Sequence, residues 1–285
     1  MSALTIEHGC ARATEQLVPV ICKLVDISTE TSDVKAFRVQ TLDGQRPFDC
    51  SPGQTAMLSV IPYGECMFCV SAQGEDYLEF TVKRVGYVTE QLHALTLGDT
   101  VGLRGPYGNW FPTEGLKGKD VLFVGGGIGL APLRALLTYL LDHRESYGRI
   151  DLVYSGSTRD DLLFLDDIFH VWPKQPDVHM HTSVYRESAD WSGEVSYTAP
   201  YLEKLAFSPE GRVAVLCGGP SLFRTCLASL LKLGFDPGSI ITTLEMRMKC
   251  GIGKCGRCNV GSKYICLDGP VFTMAELEDL PWSAD

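Results

Sequence analysis

No apolar run in this 285-residue chain approaches the eighteen or so residues of a membrane-spanning helix, so a helical span is not expected. Positive charge is scarce: 25 Lys and Arg stand against 35 Asp and Glu, a formal net charge of −10. A general nucleic-acid or anionic-membrane surface is therefore not expected, because those partners are polyanions. Histidine is sparse, with six copies, and His179 and His181, two apart on one strand, read as a solvated edge. No stretch reads as a secretory signal, so the eleven cysteines are expected to be reduced rather than bridged, which points to the cytoplasm.

Cysteine itself is abundant, and four copies fall in one stretch. Cys250, Cys255, Cys258 and Cys266 stand at C-x4-C-x2-C-x7-C, whose first two intervals are those of a plant-type [2Fe–2S] loop. The glycines between them suit a loop that wraps an inorganic core and turns backbone N–H groups toward its sulfur atoms. A structural zinc site also takes four cysteines, but usually as two C-x2-C pairs, and only Cys255 and Cys258 are so spaced. That alternative would make the chain a non-catalytic, zinc-bearing module that senses a nucleotide.

Apolar residues make up 45% of the chain, enough for two or three domains with real cores. From Val18 to Pro112 the pattern is short strands broken by Gly, Pro and Asp: Val34–Val39, Thr55–Val60, Cys69–Ala72, Leu78–Val85 and Thr100–Leu103. Such spacing predicts a small antiparallel barrel. Lys83-Arg84-Val85-Gly86-Tyr87-Val88-Thr89 ends a strand and opens a helix over Thr89–Leu95, a place where phosphate binds well. The texture then changes. Val121–Val124 is a buried parallel-type strand followed by Gly125-Gly126-Gly127-Ile128-Gly129 and the helix Leu133–Leu141. Further alternation gives the strand Ile150–Ser155, a helix over Leu162–Phe169, and the strand Val178–Val184. Then Val213–Leu216 leads through Cys217-Gly218-Gly219-Pro220 into the helix Ser221–Leu231. Residues Ala275–Asp285 read as a frayed end.

Together, the barrel with its turn-and-helix motif, GGGIGLAP, CGGP and the cysteine-rich tail resemble the ferredoxin–NADP reductase superfamily. Within it the chain is most similar to FAD/NAD(P)-binding electron-transfer subunits, above all the gamma subunit of cytoplasmic NAD(P)-linked nickel–iron hydrogenases of the sulfhydrogenase type. Anaerobic sulfite reductase, dihydroorotate dehydrogenase B and heterodisulfide reductase complexes contain subunits of the same plan. The resemblance implies an FAD-binding β-barrel over 1–112, an NAD(P)-binding α/β domain over 113–242 and a [2Fe–2S] tail over 243–285.

Carried onto this sequence, the flavin motif falls on Cys66-Met67-Phe68-Cys69. It implies Phe68 beside the isoalloxazine, Cys69 near flavin N5, and Val70 and Ser71 continuing that segment. Thr81, Val82 and Lys83 would follow the ribityl chain and ring edge, and Gly86, Val88 and Thr89 the FAD pyrophosphate. Gly125, Gly126, Gly127, Ile128 and Gly129 would receive the nicotinamide nucleotide's pyrophosphate, and Cys217, Gly218, Gly219 and Pro220 would lie near the nicotinamide. Arg159 would pair with a 2′-phosphate while Asp160 and Asp161 would repel one, so NAD and NADP both stay open. Cys250, Cys255, Cys258 and Cys266 would be the metal ligands.

This chain also departs from the family pattern. Cys66 replaces an Arg, which leaves the charge beside the FAD phosphates to Lys83 or Arg84; Cys69 replaces a Ser with a weaker donor; Met67 and Gly219 replace prolines. A nicotinamide gives two electrons as hydride, a [2Fe–2S] cluster takes one, and a flavin between them converts the two. The expected function is thus that of a diaphorase subunit, with no acid–base residue of its own. Its partners would be other redox subunits that carry iron–sulfur clusters and the terminal catalytic site.

Overall fold

The computed structural model describes residues 17–244 and 248–281. The first third is a seven-stranded antiparallel sheet curled into a barrel. Its strands are β1 (Val20–Thr29), β2 (Val34–Thr41), β3 (Thr55–Val60), β4 (Gly64–Cys69), β5 (Ala72–Gln73), β6 (Leu78–Lys83) and β7 (Thr100–Tyr107), in spatial order β4-β3-β7-β1-β2-β6-β5. Alternation explains the core: Cys22, Leu24, Phe37, Val39, Ala56, Leu58, Phe80, Val82 and Leu103 point inward and are buried. Helix α1 (Tyr87–Ala94) packs Leu92 against this core. The strand expected over Cys69–Ala72 is divided instead, because β4 ends at Cys69 and the chain turns through Val70-Ser71 into β5.

The second sheet also has seven strands, in order β11-β10-β9-β8-β12-β13 and then, at the edge, β16 (Val271–Thr273). Six are parallel: β8 (Asp120–Gly126), β9 (Ile150–Gly156), β10 (Val178–Val184), β11 (Glu194–Val195), β12 (Arg212–Cys217) and β13 (Ile240–Thr243). Helix α2 (Leu130–Asp142) packs on one face, and α3 (Thr198–Leu205) and α4 (Pro220–Lys232) on the other. Strands buried on both sides read as continuous apolar runs, as 121–124 does. The helix expected to start at Leu162 begins only at Leu165. Leu162 and Leu163 instead drop into the core, Leu163 N–H donates to the Tyr154 hydroxyl, and Phe164 adopts φ 52. His181 is not solvated as expected; its Nε2 lies 2.9 Å from Asp151 Oδ1 on β9, beside the Phe207 ring.

The tail is stitched to both domains. After the hairpin β14 (Asn259–Val260)–β15 (Lys263–Tyr264) and the turn α5 (Ile265–Asp268), strand β16 (Val271–Thr273) adds antiparallel to β13. Asn109, fully buried just after the barrel, donates to the carbonyls of Asp268 and Val271 and accepts from Val271 N–H. The expected fraying after Ala275 is overturned as far as Pro281: Thr273 caps α6 (Met274–Leu277), whose Leu277 is fully buried. Residues 282–285 lie outside the described part.

Candidate cofactor and electron-transfer site

A cleft of about 280 Å³ separates barrel from α/β domain. Its barrel wall is Thr31, Asp33, Val34 and Lys83; its other wall is Gly126, Gly127 and Ile128, the strand end Ser155–Ser157, and Tyr185, Gly219 and Leu222. This is the crevice beyond the C-terminal ends of β8, β9 and β12, where an open parallel sheet binds ligands. The five residues 125–129 divide by task. Gly129 lets α2 approach β12, since a Cβ there would meet the Cys217 carbonyl at 2.5 Å, and Gly125 makes room for Leu133. Gly127, at φ +54, has nothing within 4 Å of a Cβ and faces the cleft. Of the second glycine turn, Gly219 lines the cleft, whereas Cys217 is buried with its Sγ 3.3 Å from the Thr243 hydroxyl; burial pushes that thiol up to about 11. Gly218 sits against Leu222, and Pro220 is the first residue of α4.

Arg159 is part exposed, 4.0 Å from Asp190, while Asp161 caps its own turn by accepting from Thr158 N–H and Oγ. Asp161 of the acidic pair thus has a local structural task. Arg186, which the sequence did not single out, donates to Ser157 Oγ at this edge of the cleft.

The barrel's flavin segments also divide. Thr81 donates to Ser71 Oγ and Ser71 to the Glu79 carbonyl, both side chains being buried, and Val70 and Val82 belong to the barrel core. Phe68 and Cys69 are half-buried on β4, and Lys83 is exposed at 3.2 Å from Asp33. Thr89 spends its hydroxyl on its own turn, accepting from Val85 and Gly86 N–H and donating to the Gly86 carbonyl. The N-terminus of α1 carries no side-chain cap, and space is open where a Cβ would leave Gly86, with half-buried Val88 in its first turn. That is a fitting cradle for a dinucleotide's phosphates. Beside it the exposed rings of Tyr63 and Tyr87 meet edge to face, 5.9 Å apart. Two isolated tyrosines carry no sequence signal until the β3–β4 turn brings them together.

Between barrel and α2 lies a buried ion-pair network. Glu79 accepts from Arg38 at 2.8 Å and from Arg134 at 2.5 Å, and Arg134 also reaches Asp167 at 2.9 Å. It fixes one wall of the cleft against the other.

The cluster loop has the features that iron–sulfur ligands require. Cys250 Sγ accepts from the N–H groups of Ile252, Lys254 and Cys255, and Cys266 Sγ from Gly253 N–H. Burial raises the Cys250 thiol, but those N–H donors outweigh it and bring it to about 7; burial and neighbouring Cys258 push Cys266 up to about 12. The thiols thus fall into two contacting pairs, Cys250 with Cys255 and Cys258 with Cys266, as a two-iron cluster with two thiolates per iron would want. Gly253 holds φ +67 where a Cβ would strike Leu267.

Arg104 on β7 grips this loop from the barrel. It is 6% exposed, pairs bidentately with Glu65 of β4 at 2.6 and 3.1 Å, and donates to the Tyr107 hydroxyl and to the carbonyls of Lys249 and Cys250. Met67, also on β4, packs against the apolar cluster that contains Cys258, Ile265 and Cys266. Strand β4 is therefore tied to the cluster loop through Glu65 and Arg104, and two and three residues on it packs Met67 against that apolar cluster and Phe68 against the barrel core.

Three domain families match in chain order: an oxidoreductase FAD-binding domain over residues 21–111, an oxidoreductase NAD-binding domain over 123–227, and the iron–sulfur cluster binding domain of dihydroorotate dehydrogenase B over 245–278. The chain is 35% identical over 265 residues to the sulfhydrogenase 1 gamma subunit of Pyrococcus furiosus, with 90% of each chain covered. It belongs to the ferredoxin–NADP reductase-like family of electron-transfer subunits. A second relative of this electron-transfer subunit is the probable dihydroorotate dehydrogenase B (NAD(+)) electron transfer subunit of Methanocaldococcus jannaschii, 32% identical with 89% of each chain covered. Its fold is shared with a chain of an NADH-dependent reduced ferredoxin–NADP oxidoreductase, at TM-score 0.73 and 23% identity over 92% of this chain and 90% of that one. The matched cluster-binding domain contains all four cysteines and sets aside the zinc-bearing module.

Proposed function

We propose that this chain is the NAD(P)H-linked diaphorase subunit of a cytoplasmic hydrogenase complex. It would take a hydride from NADH or NADPH and pass single electrons to iron–sulfur centres of a partner subunit that carries the terminal catalytic site, or run in reverse. When bound, FAD supplies the conversion between two-electron and one-electron transfer, and the [2Fe–2S] cluster supplies a one-electron carrier.

The chain's own residues place these groups. Gly126, Gly127 and Ile128 leave room for a pyrophosphate at the start of α2, and Gly219 keeps the cleft floor clear. Gly86, Val88 and Lys83 would hold the flavin nucleotide, and Phe68 and Cys69 would flank its ring. The observation that carries the reading is the link of β4, which contains Phe68 and Cys69, to the cluster loop through Glu65 and Arg104, whose guanidinium donates to the Lys249 and Cys250 carbonyls. No side chain of the chain needs to move a proton, and none is assigned that task.

The six relatives named as electron transfer subunits of dihydroorotate dehydrogenase B favour a second reading, the same role in that complex. The proteins that co-purify with the chain separate the two. The shared reading is tested by anaerobic purification with flavin and metal analysis, then NADH and NADPH in turn. Bound flavin and about two irons per chain, bleached by one nucleotide, support it; a chain without flavin overturns it.

A further inference from the structure

Two neighbouring residues near the end of β9 spend their hydroxyls differently. Ser155 meets Ser183 across β9 and β10, Oγ to Oγ at 2.7 Å, and each satisfies the other. Tyr154, fully buried, reaches two stretches of main chain that line the cleft. Its hydroxyl donates to the Gly127 carbonyl at 3.0 Å and accepts the Leu163 N–H at 3.3 Å. Burial pushes the phenol above its ordinary value, so its proton stays on and the donation holds. In a trans peptide the carbonyl and the following N–H point in opposite directions. With the Gly127 carbonyl drawn toward the phenol, the Ile128 N–H turns away from the core, to the side of the cleft that Gly127 and Ile128 line. N–H groups at a helix entry lack partners inside the helix and suit phosphate. The other stretch contains Ser157, Asp161 and Leu163, which also line the cleft, and its far end is anchored. There Phe164 holds φ 52, donates its N–H to Glu30 of the barrel at 3.0 Å, and has the Arg134 guanidinium 4.3 Å from its ring.

From this we propose that Tyr154 is a positioning residue for the nicotinamide nucleotide. Its hydroxyl sets the glycine turn against the 157–163 run, so that the N–H groups for the pyrophosphate are aimed before the nucleotide arrives. The inference rests on the electron-transfer reading above and adds a residue buried beneath the site. A bland use for a buried phenol is to find any partner for its hydroxyl. Here both partners are main-chain groups of cleft-lining turns, and a Phe would fill the same space without tying them together. The Ser155–Ser183 pair shows how hydroxyls of this sheet are satisfied without touching either turn. The Gly127 carbonyl also takes the Leu130 N–H, so the phenol adds a second anchor and its loss is expected to weaken binding rather than abolish it.

The test uses the full chain loaded with flavin and iron, steady-state reduction of ferricyanide by NADH and by NADPH, and the variant Tyr154→Phe, which keeps the ring and loses only the hydroxyl. For the nucleotide that reduces the wild type, the expected result is a KM raised about fivefold with kcat changed by less than about twofold. Ser183→Ala also deletes a buried hydroxyl. It is expected to lose similar stability in thermal unfolding and to leave KM at the wild-type value. An unchanged KM in Tyr154→Phe overturns the inference, as does a fall in kcat alone. An equal rise of KM in Ser183→Ala also overturns it, because general loosening then explains both variants. Should Tyr154→Phe fail to load its cofactors, amide hydrogen exchange of the wild type decides. Protection of the Leu163 N–H without nucleotide supports the preset turn, and exchange at open-loop rates until nucleotide is added overturns it. Wild-type flavin that neither nucleotide bleaches sinks the electron-transfer reading and the inference with it, whereas bleaching with an unmoved KM in Tyr154→Phe sinks only the role of Tyr154.

Discussion

At the C-terminal end of the parallel sheet, β8, β9 and β12 run out into Gly125–Gly127, Ser155–Ser157 and Cys217–Gly219, and a ligand meets mostly backbone. Near the N-terminal end the same strands carry Asp120, Asp151 and Arg212, which interlock. Arg212 reaches Asp120 and Asp151 at 3.3 Å each, and Arg149 and His181 close on Asp151 at 2.8 and 2.9 Å. One end has been cleared of side chains and the other locked by them. A cofactor crevice needs room and N–H groups, whereas stability wants charges paired, and the fold keeps the two at opposite ends of each strand. The locked kind of construction recurs where Arg104 ties the barrel to the cluster loop.

That contrast can be broken at four points. Replacing Arg104 by Met leaves Glu65, the Tyr107 hydroxyl and two loop carbonyls without their donor. A loss of about 3 kcal/mol is expected, the low end for a broken buried pair because Glu65 is part exposed. Thermal unfolding gives that loss, and iron analysis is expected to show the cluster released before the flavin.

Asp151→Asn should cost about 2 kcal/mol at pH 7 and leave nucleotide affinity unchanged. Burial raises the Asp151 carboxyl, but the hydrogen bonds from His181 and Arg149 outweigh it and hold it at about 2, below its ordinary 3.8. A depressed carboxylate stabilises above the unfolded value and loses that contribution as pH falls through the folded one. The gap between wild type and variant in denaturant unfolding is therefore expected to close between pH 4 and pH 2.

The open end is probed by two glycines of one loop. Gly129→Ala puts a methyl 2.5 Å from the Cys217 carbonyl, and overpacking of this kind costs about 2 kcal/mol with α2 displaced. Gly127→Ala meets no neighbour, so its cost is the left-handed backbone alone, about 1 kcal/mol. Its methyl stands in the cleft, and nucleotide titration is expected to show weaker binding out of proportion to the small stability change. If both variants lost stability alike and bound alike, the division of the loop into packing and binding glycines would fail.

Much of this was legible in sequence because it is local. The strand Val178–Val184 is found at the bounds its apolar pattern predicts, and the glycine turns at 125–129 and 217–220 both sit at strand ends. The cysteine spacing marked the cluster loop through the chemistry of four thiolates. What escaped was made by distance. Arg104 looks like an ordinary strand arginine until Lys249 and Cys250, some 145 residues later, bring their carbonyls to it. Val271–Thr273 is too short to show a period and becomes a strand only because β13 and Asn109 receive it. Leu162-Leu163-Phe164 has helical spacing, but burial of all three overrode it. Thr81, Ser71 and Thr89 have residue types that suit a cofactor, and what the sequence did not show is that their hydroxyls also bond within the chain.

The account's central claim is that electrons entering at the glycine-lined cleft reach the Cys250–Cys266 loop through the same chain. Freeze-quench EPR after anaerobic mixing of the loaded chain with NADH or NADPH tests it most directly. The prediction is that loss of flavin absorbance is followed by the signal of a reduced [2Fe–2S] cluster, and that Arg104→Met delays or abolishes that signal. Flavin bleached by nucleotide with the wild-type cluster left oxidised and EPR-silent would contradict it.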